Sequence, residues 1–175
     1  MAGVVAERLI RRRPDLQLVV IGDGDQTIAL RALATDLGIA DSVTWLGAVW
    51  HHDLVDRVLA GASAFVSMSR FEGVPISVLE ARRHSLPLVL TDIPGHRDAA
   101  ELTTRLVAVG DHEAFAQAIL DALAPGAPPA LQAPVLSTWT GSATPQASSQ
   151  SSKATVRWRP SPTRAPEYAL EPVAA

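Results

Sequence analysis

The sequence predicts an α/β protein built on a Rossmann-like, doubly wound parallel sheet, followed by a C-terminal segment of different character. Three observations carry this. Short apolar runs alternate with stretches of helical period from Ala2 to Leu123, the pattern of βαβ units. The runs are continuously apolar rather than alternating, as strands covered on both faces require. Glycines cluster just after the runs, at the strand ends where such sheets bind ligands.

In chain order, Val4, Val5, Leu9 and Ile10 give Ala2 to Arg13 one apolar side, and Pro14 stops that helix. Leu16 to Ile21 is a strand and Gly22-Asp23-Gly24 its turn. Thr27 to Leu37 is a helix closed by Gly38. Val43 to Leu46 is a strand ending at Gly47, and Asp53 to Ala60 is a helix closed by Gly61. Ala64 to Met68 is the third strand and Ile76 to Arg83 the next helix. Leu86 to Leu90 is the fourth strand, and Asp92 to His96 a loop. A short helix from Arg97, a strand over Leu106 to Val109 and a helix from His112 to Leu123 complete the unit.

Beyond Leu123 the composition changes. Residues 124–175 are rich in Pro, Ser, Thr and Ala and show no sustained period, so they bury too little apolar surface to offset their ordering entropy. They read as largely disordered, either unselected read-through or an interaction tail anchored by Trp139 and Trp158. The domain is therefore set at 1–123 and the tail at 124–175.

At 175 residues the chain holds one domain rather than two. A net charge of -3 without a basic face argues against nucleic acid. The absence of cysteine excludes disulfides and thiolate chemistry and suits a cytoplasmic protein. No apolar run reaches the length of a membrane span, which leaves peripheral membrane contact open. The five histidines lack metal-ligand spacing, and no metal or organic cofactor is expected. His51 and His52 open a helix and read as cap or surface residues.

The chemistry concentrates in Ser69-Arg70-Phe71-Glu72-Gly73-Val74-Pro75-Ile76, between the third strand and its helix. Pro75 suits the first helical position. The amides of Gly73, Val74 and Ile76 then lie at the positive end of a helix, a site for phosphate. Glu72 and Glu80 bracket that site and would accept hydrogen bonds from hydroxyls. Taken alone, two glutamates eight apart are ordinary solvated side chains. Gly22-Asp23-Gly24 superficially suggests a dinucleotide loop, but it lacks the third glycine and serves equally as a tight turn.

Glu72-Gly73, Leu79-Glu80-Ala81 and Leu86-Pro87-Leu88-Val89 together resemble the Glu-x7-Glu signature of retaining GT-B glycosyltransferases, glycosyltransferase family four in particular. The resemblance covers about Ala2 to Leu123. It implies the donor-binding half of an enzyme that transfers sugar from a nucleotide-diphosphate donor to an acceptor, with retention and without a metal. Glu72 matches the family glutamate near the donor sugar, and is the catalytic candidate. Glu80 matches the one on the ribose hydroxyls, and Gly73, Val74, Pro75 and Ile76 the loop facing the diphosphate. Gly22 and Gly24 match the opening of the donor cleft; Leu46, in Trp45-Leu46-Gly47, matches a strand end near the base. Asp98 stands where the family loop ends in glutamate.

The departures carry expectations too. Arg82-Arg83-His84-Ser85 replaces small residues and glycine, which should loosen or expose that helix. The family's upstream Gly-Arg…Lys-Gly segment, its N-terminal domain and the first strand of this sheet are not in the sequence. The isolated chain is accordingly expected to be inactive, with a separate N-terminal-domain chain as one possible partner. A non-catalytic nucleotide-sugar-binding module, an epimerase or phosphorylase-like member of the fold, and a truncated gene product stand as alternatives.

Overall fold

The computed structural model describes residues 2–124 and the backbone of residues 153–158. Helices and strands alternate: α1 (Ala2–Arg12), β1 (Leu16–Ile21), α2 (Thr27–Asp36), β2 (Val43–Gly47), α3 (His52–Ala60), β3 (Ala64–Ser67), α4 (Ile76–Arg83), β4 (Leu88–Thr91), α5 (Pro94–Ala99), β5 (Arg105–Val107) and α6 (His112–Ala122). A last strand, β6, spans Lys153–Trp158. The sheet order is β2-β1-β6-β3-β4-β5. β1 pairs with β2, and β4 with both β3 and β5, in parallel, whereas β6 runs antiparallel to its neighbours β1 and β3.

Strand alternation divides the core between the two faces of the sheet. Val66 of β3 and Val89 of β4 join Val5 and Leu9 of α1 and Phe115 and Ile119 of α6 on one face. Phe65, Leu88 and Leu90 join Leu59 of α3 and Val78 and Ala81 of α4 on the other. Both β3 and β4 are buried along their whole length. This is why their sequences are unbroken apolar runs closing on a hydroxyl residue, Ser67 or Thr91.

The boundaries follow local chemistry. β4 starts at Leu88 rather than Leu86 because Pro87 has no N–H for the ladder; its carbonyl accepts from the Phe65 N–H at 2.9 Å. α5 begins at Pro94, not Arg97: Pro94 is in the first turn and Ile93, in extended conformation, is the N-cap. At the next helix the order is reversed, since Pro75 is the N-cap of α4 and Ile76 its first residue.

α4 is not loosened by its basic C-terminus. Its Ala81 is fully buried, Arg82 Nε donates to Glu101 Oε1 at 2.7 Å, and His84 Nε2 meets Asp56 Oδ1 at 2.7 Å. Ser85 takes the left-handed conformation expected of a glycine there, with φ 54°. On α1, Arg8 and Arg12 are both paired with Glu113 of α6. Much of its basic face is thus neutralised within the fold.

Within 124–175, read from the sequence as largely disordered, one segment joins the sheet. Lys153 to Trp158 pairs with all of β1, Leu16 opposite Trp158 through Ile21 opposite Lys153. It pairs also with Ala64 to Val66 of β3. The sequence Lys-Ala-Thr-Val-Arg-Trp is β-prone, but its brevity among prolines and serines conceals it. Residues 125–152 and 159–175 of that expectation, Trp139 included, lie outside the described residues. In a doubly wound sheet the first strand lies in the middle and later strands are added outward on both sides. β6 occupies that place, and it alone joins the β2-β1 pair to β3-β4-β5. Val156, level with Leu18 and Ala64, tests this. Val156→Pro removes a ladder donor and is expected to cost at least about 1 kcal/mol. That is a fall in Tm of roughly 2–4 °C or more by circular dichroism, and an unchanged Tm would remove β6 from the sheet.

Candidate functional site

The loops at the carboxyl ends of the parallel strands are tied to one another. Val20 lies level with Trp45 and Ile21 with Gly47, so Leu46 is an extra residue in the ladder, a bulge that bends the strand end. The Gly22 N–H donates to the Gly47 carbonyl at 2.8 Å, joining the two loops. Gly22 has φ 124°, a conformation closed to most side chains. Gly24 N–H donates to Asp23 Oδ1 at 2.8 Å and to Thr27 Oγ1 at 3.0 Å. Hydrogen bonds from the Thr27 side chain and the Gly24 N–H hold the Asp23 carboxyl below its ordinary pKa. The glycine loop therefore serves as a tight turn into α2, whatever else it does.

After β3 the chain carries the two glutamates. Ser67 Oγ donates to Ser69 Oγ at 3.3 Å, and Ser69 Oγ donates to Glu72 Oε1 at 2.7 Å. Glu72 is half-buried, whereas Phe71, Val74 and Ile76 are 79%, 65% and 63% exposed. Pro75 is buried, and its carbonyl accepts from Val78 and Leu79. One of the three expected phosphate-binding amides is already engaged: Ile76 N–H donates to the Val74 carbonyl at 2.9 Å. Among the described residues, the N–H groups of Gly73 and Val74 have no backbone acceptor.

Glu80, half-buried, lines an open polar groove between α3 and α4 with His52, Asp53, Asp56 and Arg83. Glu72 and residues 73–76 do not line it. Glu80, on α4, faces α3, whereas the Glu72 backbone lies against Gly95 of α5. No group of three or more His, Asp or Glu among the described residues could hold a metal ion.

The next strand end supports the first. Thr91 Oγ1, at the end of β4, donates to the Ser69 carbonyl. Gly95 lies against the Glu72 loop so closely that a Cβ there would sit 2.3 Å from the Glu72 carbonyl oxygen. His96 is fully buried and its Nδ1 is 2.8 Å from the Thr91 carbonyl. Asp92 forms an exposed pair with Arg97, which holds the Asp92 carboxyl low. Asp98 is exposed.

Against known proteins, residues 4–125 match the family model described as Glycosyl transferases group 1. The chain belongs to that family. The glycosyl transferases group 1 unit is 34% identical over 94 residues to the lipopolysaccharide 1,6-galactosyltransferase of Salmonella typhimurium, covering 51% of this chain and 26% of that protein. It is 29% identical over 110 residues to an Escherichia coli α-1,3-galactosyltransferase acting from UDP-Gal on GlcNAc-diphosphoundecaprenol, covering 61% and 28%. Among solved structures, the galactosyltransferase WaaB aligns with TM-score 0.56 at 29% identity, over 61% of this chain and 31% of that one. Staphylococcus aureus TarM, solved with UDP, aligns with TM-score 0.65 at 22% identity over 70% and 25%, a likeness of fold. The chain spans about a quarter to a third of the length of these relatives. Its α/β unit is one half of the GT-B glycosyltransferase architecture. No described helix is long and apolar enough to cross a membrane.

Within this glycosyl transferases group 1 fold, sequence reasoning missed Ser69 as a partner of Glu72 and the role of Thr91, and it placed Gly95 and His96 in a loop without seeing their contacts. Their roles are tertiary contacts between consecutive strand ends. The one visible trace was the cluster of Thr, Pro, Gly and His after an apolar run. Gly95→Ala tests the contact: its methyl would be forced into the Glu72 carbonyl, an overpacking cost of about 1–3 kcal/mol. It should lower Tm with no change in the helix content of the folded state.

Proposed function

We propose that this chain is the donor-binding half of a retaining glycosyltransferase, transferring a sugar from a nucleotide-diphosphate donor to an acceptor held elsewhere. The observation that carries the reading is the loop between β3 and α4. Two amides without a backbone acceptor, Gly73 and Val74, directly follow Glu72 and precede the helix that carries Glu80. Anionic diphosphate oxygens suit N–H groups at a helix start; sugar and ribose hydroxyls suit the carboxylates. Glu72 is assigned to the donor sugar and Glu80 to the ribose. The extended end of the donor then passes Gly22, Gly24 and the Leu46 bulge. The reaction breaks the bond from the anomeric carbon to the diphosphate oxygen and forms one to the acceptor hydroxyl oxygen on the same face, the hydroxyl proton passing to the departing diphosphate. Donors aimed at the departing diphosphate lower its barrier by stabilising the charge that develops there.

A second reading, a donor half that works only with a separate acceptor-binding chain or domain, is favoured by one feature. Phe71, Val74 and Ile76 form an exposed apolar rim directly on the proposed donor loop, and contiguous apolar surface at a cleft marks a docking face. A cytoplasmic location and contact with a membrane surface remain compatible with both readings.

Titration with UDP, GDP and their 2′-deoxy forms tests the assignment. Wild-type protein should prefer the ribose form, and Glu80→Ala should erase that preference with a loss of roughly tenfold or more in affinity, the worth of a charge-assisted hydrogen bond. Binding that is indifferent to the change removes Glu80 from the ribose.

A further inference from the structure

The Glu72 carboxylate is fixed at one remove by residues of a different strand. Its Oε1 accepts from the Ser69 hydroxyl at 2.7 Å. The Ser69 backbone is fixed in turn, because its carbonyl accepts from the Thr91 hydroxyl. Thr91 is buried, 2% exposed, and His96 is 0% exposed. His96 Nδ1 lies 2.8 Å from the Thr91 carbonyl and 3.2 Å from Thr91 Oγ1. A carbonyl oxygen can only accept, so the ring proton is on Nδ1. The Thr91 hydroxyl spends its proton on Ser69 and its lone pair on His96, which leaves it one orientation.

His96 holds this arrangement at a cost. Its Nε2 is buried with no hydrogen-bond partner among the described residues, and an unpaired buried polar atom is destabilising. An apolar side chain of similar size would avoid the penalty but would release the Thr91 hydroxyl. Gly95, next in the chain, presses on the Glu72 and Gly73 carbonyls from the same side. The corner between β4 and α5 thus touches the donor loop at three successive points, the carbonyls of Ser69, Glu72 and Gly73.

We propose that Thr91 and His96 are positioning residues for Glu72, a buried latch that sets the carboxylate at the sugar end of the cleft. This rests on the reading of Glu72 as the donor-sugar residue and extends it to groups that do not touch ligand. The latch acts on the sugar alone. The Thr91–Ser69 bond meets the loop on the Glu72 side of the Gly73 and Val74 amides, and Glu80 and its groove lie on the α3 side of α4, so loss of the Thr91 hydroxyl is expected to leave nucleotide binding unchanged.

That asymmetry defines the experiment. Affinities for UDP and UDP-glucose, and for GDP and GDP-mannose, are measured by calorimetry on wild type, Thr91→Val, Thr91→Ser and Glu72→Gln, alongside Tm. The wild type should bind the sugar-bearing member of its preferred pair more tightly than the bare diphosphate. Thr91→Val keeps the β-branched shape, loses the hydroxyl and should lose most of that gain, roughly tenfold at most for one hydrogen bond. Its affinity for the bare diphosphate should not change, and Thr91→Ser should restore the gain. A Thr91→Val protein that keeps the gain, or loses affinity for both members equally as Tm falls, overturns the latch. A wild type with no sugar-dependent gain, or a Glu72→Gln protein that keeps it, instead overturns the reading of Glu72 itself.

Discussion

The complete burial of β3 and β4 is the constraint on which the rest depends. Phe65, Leu88 and Leu90 are held by helices on one face, Val66 and Val89 by helices on the other. Two strands clamped in this way end at fixed points, and close packing transmits little slack along them. Ser67 and Thr91 are the last residues of those strands. The hydroxyls that orient the Glu72 loop are therefore anchored by hydrophobic burial several residues away. The site is precise because its supports emerge from the core, not because the loop is stiff.

Helices and strands were legible because burial on both faces leaves a local mark. Apolar runs without alternation, glycine after Leu37 and Ala60, and proline before a helix are signals within a few residues of one another. The β3–α4 loop was legible for the same reason: its strand, turn and helix are contiguous. The β4–α5 corner was not, because the reason for Gly95 lies at Glu72 and that for Thr91 at Ser69. No period or cap signal records a contact across more than twenty residues. β6 escaped for a different reason, since six β-prone residues in a Pro/Ser-rich segment look the same paired or unpaired.

The position of Ile76 shows how a correct motif can mislead in detail. Helix starts leave several N–H groups without partners, and the motif suggested three for an anion. The chain reaches α4 through a tight turn that uses the Ile76 amide internally and makes Pro75 the cap. That leaves Gly73 and Val74, of the three amides, without a backbone acceptor among the described residues. Likewise Ser85 takes the left-handed φ that usually calls for glycine, so α4 stops at Arg83 despite the bulky polar residues at its end.

The central strand of this sheet comes from beyond α6, so it is made last. Until residues 153–158 leave the ribosome, β1 and β3 have finished neighbours on one side and bare N–H and C=O groups on the other. An open edge in the middle of a nascent sheet invites pairing with whatever strand arrives first. Premature pairing at that edge competes with the arrival of residues 153–158, a burden that sheets assembled from contiguous segments do not carry.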